Sequence, residues 1–581
     1  LNKIPALDWT NSTFKYGSTY SWVRAPFIAE GLGNTIQNTQ TMQLNGTLNF
    51  VNLYNKSKYL KKVNSKRPTA KKKNDKKKTE DKKDNNDTTK TKTKKPKKDG
   101  PPGFVDGISR VLMMVRKGNA SYSVTNGIML PGYNQQTEVI GMNNNFSAPG
   151  LGFVFGQQNG FGDSQDFLDY AQRNDWLVRN PEFNNQYRET RGEKLNLKLT
   201  IEPVRDFRVE LNTSWNDVKS YTTYNRYYDT LTLSDGTQIL DDFNRDSPLE
   251  QGNFSTSFFM LRTAFSKDGD NYTSDPFEQF AANRSVISER IGKESQRRGY
   301  SNGPSDSGYY DGYGPNHPDV LIPAFLAGYS GQDASSISTN IFSKMYIPNM
   351  RLTYTGLGKL PALKKHVRNV SISSGYKSSY IIGGYTSNIL FDDKGGGFTD
   401  VRDTSSLYNN FVSEYTYNSV TIREAFSPLI NVDVTLKNSV QVRFEIKKDR
   451  TINLSTRSLQ VMEVRGQEFT VGLGYTFKQL RAPFQPKTKR KAIKSDFKVR
   501  ADFSLRKNLS ITRELTTNIN RNNPTNGQNT LSVKLTGDYK LNRKLTLRLF
   551  FDYRSNTPVI SLSYPNSTTN GGFSIRFNLN G

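Results

Sequence analysis

The stretch FKVRADFSLRKNLSI, residues 497–511, decides the fold class. Apolar side chains recur at alternate positions, and charged or small polar side chains stand between them. The apolar members are Phe497, Val499, Ala501, Phe503, Leu505, Leu509 and Ile511. Since successive strand residues point to opposite faces, one face of this strand is apolar and the other is charged. The alternation outlasts an ordinary strand and covers the about 9–11 residues that a tilted strand needs to cross a bilayer.

Comparable alternation recurs along the chain and dominates it after residue 346. It predicts strands at 16–23, 42–53, 109–116, 122–130, 195–201, 207–215, 350–355, 370–385, 412–422, 430–436, 440–454, 469–477, 531–541, 545–553 and 573–579. We therefore expect roughly 16–18 strands in all. The pattern predicts an all-β fold: a large transmembrane antiparallel β-barrel with mixed helical and loop insertions, to which all of residues 1–581 contribute. Lipid would surround this barrel, and its interior would be wet and polar.

The composition agrees with a barrel and excludes several other classes. Hydrophobic residues make up only 34% of the 581 residues, and the mean hydropathy is −0.70. No run of about 18 apolar residues is present, so we expect no transmembrane helix. The longest apolar stretch, 320–329, is interrupted by Pro323 and Gly328. The absence of cysteine excludes a disulfide framework, thiolate catalysis and cysteine-bound metal.

Residues 56–99 form a Lys-rich segment of low complexity. Its 20 Lys and Arg residues exceed its 6 Asp and Glu residues by 20 − 6 = 14, which is half of the net charge of +28. The segment lacks the apolar side chains that would offset the entropy of ordering, so we predict a disordered loop. A lysine run also suggests nucleic-acid binding, but Tyr59 and Arg67 alone are available for base stacking. We expect a solvated loop near anionic lipid headgroups and no nucleic acid.

Two further segments interrupt the strands. Residues 141–193 are rich in Asn and Gly, with a helical pattern at 167–178, and predict a folded insertion. Residues 266–345 predict a helix-containing insertion, because Asp275-Pro276 is a favourable helix start and Gly299 can end the helix. The apolar stripe of this helix consists of Phe277, Phe280, Ile287 and Ile291. We expect the helix to pack on the barrel mouth or inside the lumen.

Catalytic constellations are not evident in the sequence. The two histidines, His317 and His366, lack a second histidine at metal-ligand spacing. Asp268, Asp270 and Asp275 loosely suggest a calcium loop, but the glycine and the distal glutamate of an EF-hand are missing. The GFGD at 160–163 is not followed by the Lys-Ser/Thr of a phosphate loop. We therefore predict no enzyme activity, no catalytic residues, no cofactor and no bound metal.

The charged strand face offers candidate functional residues of another kind. Five basic side chains occupy polar-face positions of their strands: Lys198, Arg500, Lys534, Arg548 and Arg576. We predict that they face the lumen, where they would attract anions and keep the interior hydrated. The alternative is the exposed face of a soluble sheet, which the length of 497–511 disfavours.

Several long segments resemble the C-terminal part of the SprA/Sov family, the outer-membrane translocon of the type IX secretion system. The resemblance covers most of the chain except the Lys-rich segment. The residues that carry it are LDWTNSTFKYGSTYSW (7–22), PEFNNQYRETRGEKLNLKLTIEPVRDFRVELNTSW (181–215), NHPDVLIPAFLAGYSG (316–331), GLGKLPALKKHVRNVSISSGYKSSY (356–380) and REAFSPLINVDVTLKN (423–438). Family members are much longer than this chain, so the resemblance implies that it is the C-terminal portion of one.

The resemblance implies a function that periodicity alone does not. It implies a protein-conducting channel in the bacterial outer membrane that exports folded cargo with C-terminal signal domains, including gliding adhesins. It implies as partners the remainder of the same polypeptide, a PorV-type barrel protein, a periplasmic plug protein, the cargo and outer-membrane lipid. No single functional residue transfers, because the family has no catalytic motif to match.

Three other readings remain open at the level of sequence. A nutrient-uptake barrel of the TonB-dependent type would share the strands, but it should carry an N-terminal plug domain and end in an aromatic residue, whereas this chain ends in Gly581. A soluble β-rich adhesin should show domain-sized repeats and shorter strands. A surface enzyme would need a catalytic constellation.

The orientation and the sheet edges can also be predicted. Counting back from a periplasmic C-terminus makes 541–544 and 479–496 periplasmic and 516–528 extracellular. The chain starts at Leu1 without a signal sequence, so we expect a part of a longer protein. Because unpaired backbone groups in lipid cost several kcal/mol each, we expect 16–23 and 573–579 to pair with upstream sequence or another chain.

Overall fold

The strands of the chain form one continuous antiparallel sheet. The computed structural model describes residues 7–65, 104–160, 166–233, 236–342, 348–481, 494–515, 521–540, 545–560 and 563–577. Within these ranges the sheet has 15 strands, and its order follows the chain. They are β1 Thr10–Val23, β2 Asn34–Asn49, β3 Val115–Tyr133, β4 Gln186–Val204, β5 Phe207–Thr232, β6 Gln238–Ser257, β7 Asn349–Tyr354, β8 Val367–Ser387, β9 Tyr415–Leu436, β10 Val440–Ser455, β11 Gln460–Arg481, β12 Lys494–Glu514, β13 Arg521–Lys540, β14 Leu545–Pro558 and β15 Asn566–Phe577. The all-β prediction is confirmed.

Within the described residues, eight α-helices lie in the connections between strands. They are α1 Phe50–Lys56, α2 Lys58–Ser65, α3 Phe104–Leu112, α4 Leu151–Val154, α5 Phe167–Arg173, α6 Asp275–Arg297, α7 Pro318–Ser330 and α8 Pro361–Lys364. Tight turns join β4 to β5 and β9 to β10 at one end of the strands, which we call the turn end. The predicted turn after Pro203 is one of them, and Asp206 adopts a left-handed φ of 68° there. Segments 134–185 and 388–414 leave the opposite end, the insertion end.

Several strand predictions were wrong in detail. The described residues hold 15 strands instead of the 16–18 expected. Segment 109–116 begins in helix α3 and residues 50–53 lie in α1, because short apolar runs fit either periodicity. The predicted strands 412–422 and 430–436 are one strand, β9, which continues through Pro428. The predictions omitted β6, whose polar sequence shows little alternation.

The strands are far longer than a bilayer requires. β5 has 26 residues, β9 and β11 have 22 each, and β12 has 21. A tilted membrane strand needs about 9–11 residues. The wall that these strands form therefore extends well beyond the thickness of a hydrocarbon layer.

Two strands, β6 with 20 residues and β7 with 6, share one position in the sheet. β6 pairs with the part of β5 from Trp215 onward, whereas β7 pairs with Phe207–Asn212 of the same strand. Both also pair with β8. The chain thus leaves the wall after Ser257, forms the insertion 258–348 and returns at Asn349 to fill the rest of the same position.

Side chains replace the missing backbone pairing at this break. The Asn349 amide donates to Ser257 Oγ at 3.3 Å, and Asn349 Oδ1 accepts from the Ser378 backbone N–H at 2.6 Å. Ser257 Oγ also accepts from the Ser214 backbone N–H at 2.9 Å. Because buried backbone groups that lack a partner cost about 1–3 kcal/mol each, these contacts allow the wall to be interrupted without leaving it open.

The insertion 258–348 has its own helical core against the wall. Helix α6 begins at Asp275 with Pro276 in its first turn and ends before Gly299, as predicted. Phe277, Phe280 and Ile287 of the predicted stripe are buried. Helix α7, the apolar stretch around 320–329, was not predicted, because a helix buried on every side shows no amphipathic period.

The other predicted segments require smaller corrections. The first insertion runs from the end of β3 to the start of β4, so 186–193 of the predicted range belong to a strand. Of the predicted disordered loop 56–99, Lys56 ends α1 and residues 58–65 form α2, whereas residues 66–99 lie outside the described residues. The turn 541–544 and most of the connection 479–496 also lie outside them.

The packing of α6 on α7 gives a first testable prediction. A Cβ atom at Gly328 would lie 2.7 Å from Phe280 N and 2.8 Å from Phe280 Cα, so neither helix can yield without moving its backbone. We expect Gly328→Val to destabilise the docked insertion by about 1–3 kcal/mol. Limited proteolysis within 258–342 measures this, with Ala282→Val on the exposed side of α6 as control. Equal cleavage rates in the two variants would contradict the packing.

Candidate functional site on a two-faced wall

One face of the sheet carries a continuous apolar surface at the turn end. Cross-strand pairing aligns Phe444 with Val471, Val471 with Phe503, and Phe503 with Val533. Many of these side chains are exposed, and Leu473 is exposed over 54% of its surface. The surface, here called the apolar band, consists of alternate residues, beginning with the first of each range, in 440–446, 469–477, 497–505, 531–539 and 545–553. Exposed aromatic and branched side chains in such number need an apolar partner.

The length of the apolar band matches a hydrocarbon layer. On β11 and β12 it covers 469–477 and 497–505, which agrees with the about 9–11 residues that a tilted strand needs. The next residues on the same face are Gln467 and Lys507, directly opposite each other in the register. The band therefore stops where polar side chains begin, although the strands continue toward the insertion end.

The opposite face, here called the polar face, is a ladder of ion pairs. Arg443 contacts Asp433 at 2.9 Å, between β10 and β9. Arg506 on β12 reaches across β11 to Asp449 on β10, with two contacts of 2.9 and 3.0 Å. Glycine at position 466 leaves room for the Arg506 side chain, since a Cβ there would lie 2.4 Å from the Arg506 guanidinium.

The five basic residues predicted for the lumen all lie on the polar face. The register places Lys534 opposite Asp502, and it places Arg548 opposite Asp538. Three of the five form ion pairs with carboxylates. Lys198 lies 3.2 Å from Glu210, Arg500 lies 2.7 Å from Asp502, and Arg548 lies 2.7 Å from Asp538. The sequence order of the sheet keeps Lys198 on β4 far from Arg576 on β15, so the five do not form one site. The prediction named only basic residues on this face, whereas the structure shows basic and acidic side chains alternating there. The role of the polar face as a lumen stays a prediction.

The polar face is concave. One cavity of about 760 Å³ is lined by residues of β2, β3, β4, β5, β7, β8 and β9. Its side chains are mainly amides and hydroxyls, with Lys198, Arg351 and Lys377 among them. The amides come from Asn45, Asn119, Asn196, Asn212 and Asn349. Sequence reasoning missed this asparagine-rich surface, whose signal was the recurrence of Asn at polar-face positions of successive strands.

Toward the insertion end, the apolar-band face is covered by the insertion 258–348 and carries buried charges. Arg513 and Glu463 have no exposed surface and lie 3.2 Å apart. Arg465 contacts Glu463 at 2.7 Å. Asp268 of the insertion joins them, at 3.0 Å from Arg513 and 2.7 Å from Arg465.

A third arginine, Arg450, extends this network to the base of the insertion. Arg450 contacts Glu424 at 3.1 Å and donates to the Thr263 carbonyl at 3.2 Å. The network therefore contains three guanidiniums and three carboxylates, and its formal charge is zero. Its sequence signal was charge at apolar-face positions of β10, β11 and β12, where the alternation breaks. Asp268 thus serves as an ion-pair partner, and among the described residues no group of acidic and histidine side chains is arranged to hold a metal ion.

His317 joins helix α7 to the segment 388–414. Its Nδ1 accepts from the Asp319 backbone N–H at 3.1 Å, and its Nε2 lies 3.2 Å from the Phe411 carbonyl, to which it donates as the neutral ring. Burial lowers the pKa of His317, and the nearby Asp319 carboxylate only partly opposes this. The ring is therefore held neutral, with its proton on Nε2.

Comparison with known proteins does not assign the chain to a family. No family model matches it, and no curated protein does. A solved structure described as that of the RagAB peptide transporter aligns with 96% of this chain and 49% of its own, at 6% identity and a TM-score of 0.28. The chain spans about half the length of that protein, and a similarity this low carries no argument. None of the described helices has the length and hydropathy of a membrane span.

The buried network gives a second prediction. Glu463→Gln removes one charge and leaves three guanidiniums, those of Arg450 and Arg513 buried, facing two carboxylates. Because breaking a buried ion pair costs about 3–5 kcal/mol, we expect the insertion to detach at lower denaturant concentration. Urea-dependent proteolysis of 258–342 measures this.

The matched control is Asp538→Asn, which removes a carboxylate from an exposed pair with Arg548. Exposed pairs contribute about 0–1 kcal/mol, so this variant should behave like the parent. A Glu463→Gln protein as resistant as the control would show that the network does not hold the insertion.

The histidine gives a third prediction, on pH. The unfolded site takes up a proton near pH 6.5, whereas the folded site excludes it, so stability falls as the pH drops below about 6.5. Hydrogen exchange in 388–414, corrected for intrinsic rates, should therefore accelerate between about pH 7 and pH 5. In His317→Gln that acceleration should be absent. A parent protein whose corrected exchange is flat over this range would contradict the assignment.

Proposed function

We propose that this chain forms part of the wall of a large outer-membrane β-barrel that conducts proteins. One observation carries the proposal: a nine-residue apolar band on β11 and β12 lies opposite a charged face on the same strands. A wall that meets hydrocarbon on one side and water on the other needs this arrangement. The turn end is then periplasmic, because the short turns of outer-membrane barrels lie on that side.

The chemistry of the polar face suits passage of a large folded cargo. Paired charges, such as Arg443 with Asp433, keep the wall hydrated without presenting a surface of one sign. The asparagine-rich cavity offers amides that exchange hydrogen bonds with water. A positively or negatively charged cargo surface therefore finds no strong binding site on this face, and weak binding is what passage through a channel requires.

The width of the sheet favours a wide lumen. β1 pairs with β2 along its inner edge, β15 pairs with β14, and β15 is exposed along its length. We propose that the outer edges of β1 and β15 are closed by the remainder of the same polypeptide. The barrel would then exceed 15 strands, more than the about 8 that side chains alone fill.

The resemblance to the SprA/Sov family supplies the finer statement. On that basis we propose export by type IX secretion of folded proteins with C-terminal signal domains, including gliding adhesins. The partners would be a PorV-type barrel protein, a periplasmic plug protein, the cargo and outer-membrane lipid. The proposal includes no catalytic step, no cofactor and no nucleic acid.

Depletion of the whole protein in cells tests this function. We expect proteins with C-terminal secretion domains to accumulate in the periplasm, while uptake of small nutrients continues. Quantitative proteomics of periplasm and medium, together with uptake of labelled peptides and sugars, measures both. Normal secretion with loss of one nutrient would instead support an uptake barrel of the TonB-dependent type.

A further inference from the structure

At the turn end, three helices form a small foot under the β2–β3 hairpin. Helices α1 and α2 follow β2, and α3 precedes β3. The foot has its own small core, in which Val63 and Met113 are buried. Tyr54 Oη donates to the Leu112 carbonyl at 2.9 Å, which ties α1 to the end of α3. The foot is thus an ordered part of the wall.

The foot lies on the apolar side of the wall. A Cβ at Gly118 would lie 3.6 Å from the Phe50 ring and 3.8 Å from Leu48. The register from β2 to β12 places Leu48 on the same face as the apolar band. Phe50 also lies 5.9 Å from Trp9 and 6.3 Å from Tyr54, measured between ring centroids. Trp and Tyr favour the boundary between hydrocarbon and headgroups.

One side of α3 is apolar and exposed. Ile108, Val111 and Leu112 follow the spacing of a single helix face, and they are exposed over 49%, 60% and 67% of their surfaces. The adjacent helix α2 presents Lys58, Lys61 and Lys62 to the exterior and contains no acidic residue. An apolar helix face beside a cluster of lysines is typical of helices that lie in a membrane interface.

We propose that α1–α3 are an interfacial foot that binds the anionic phospholipid of the periplasmic leaflet. Ile108, Val111 and Leu112 enter the boundary between acyl chains and headgroups, and the lysines of α2 contact lipid phosphates. Charge complementarity selects this occupant, because α2 carries Lys58, Lys61 and Lys62 and no acidic residue. The inference rests on the proposed placement of the wall in a membrane.

The absence of cysteine makes a depth measurement direct. The full chain carries a single cysteine bearing an environment-sensitive fluorophore at Val111→Cys, at Leu473→Cys in the apolar band, or at Leu407→Cys. Leu407 is 88% exposed in segment 388–414, at the opposite end of the wall. Each protein is placed in nanodiscs of phosphatidylcholine, with or without phosphatidylglycerol, and is quenched either by spin-labelled lipid or by aqueous iodide.

We expect lipid quenching at Leu473 in both nanodiscs, iodide quenching at Leu407 in both, and lipid quenching at Val111 that strengthens with phosphatidylglycerol. Combining Val111→Cys with Lys58→Ser, Lys61→Ser and Lys62→Ser should abolish that strengthening. Val111 open to iodide in both nanodiscs, or shielded from both quenchers by protein, would overturn the foot while Leu473 still supports the barrel. Loss of lipid quenching at Leu473 would overturn the barrel and the foot together.

Discussion

In the proposed barrel the structure depends on one constraint: a wall one strand thick separates two different surroundings. In hydrocarbon each backbone N–H and C=O must be paired within the sheet, so only continuous strand pairing is tolerated. Each strand then places alternate side chains on opposite faces. The pairing of Phe503 with Val471 and Val533 therefore fixes one face as apolar, and the ion pairs of Arg443 and Arg506 follow on the other.

The same constraint explains how the wall accommodates a large insertion. The chain leaves the sheet between β6 and β7, beyond the apolar band, where water or protein can satisfy polar groups. Asn349 and Ser257 then supply hydrogen bonds that the missing backbone would have made. The neutral network around Glu463 and Arg513 anchors the insertion to the same face that carries the apolar band nearer the turn end. A single sheet face thus carries an exposed apolar band and a buried charge network, divided near Gln467 and Lys507.

Sequence periodicity predicted the strands, helix and turn that have a local sequence pattern. It did not predict the features that depend on contacts between residues far apart in the chain. The alternation at 497–505, helix α6 with Pro276 in its first turn, and the turn at Asp206 were predictable, because each has a local signature. Helix α7 was not, because burial on all sides removes its period. The ion pairs of Asp268 with Arg465 and Arg513 could not be predicted either, since they join residues far apart in the chain. The five basic residues lie on the polar face, whose role as a lumen stays a prediction, and their carboxylate partners depend on cross-strand register.

The most direct test of the two-faced wall is a cysteine scan along β12 of the whole protein in its native outer membrane. Substitutions at 499, 501 and 503 should react with lipid-borne probes and resist a membrane-impermeant thiol reagent. Substitutions at 500, 502 and 504 should react with the impermeant reagent. A strict period of two over these six positions is the result that the account predicts. Equal reactivity of both sets toward the aqueous reagent would place both faces in water and contradict it.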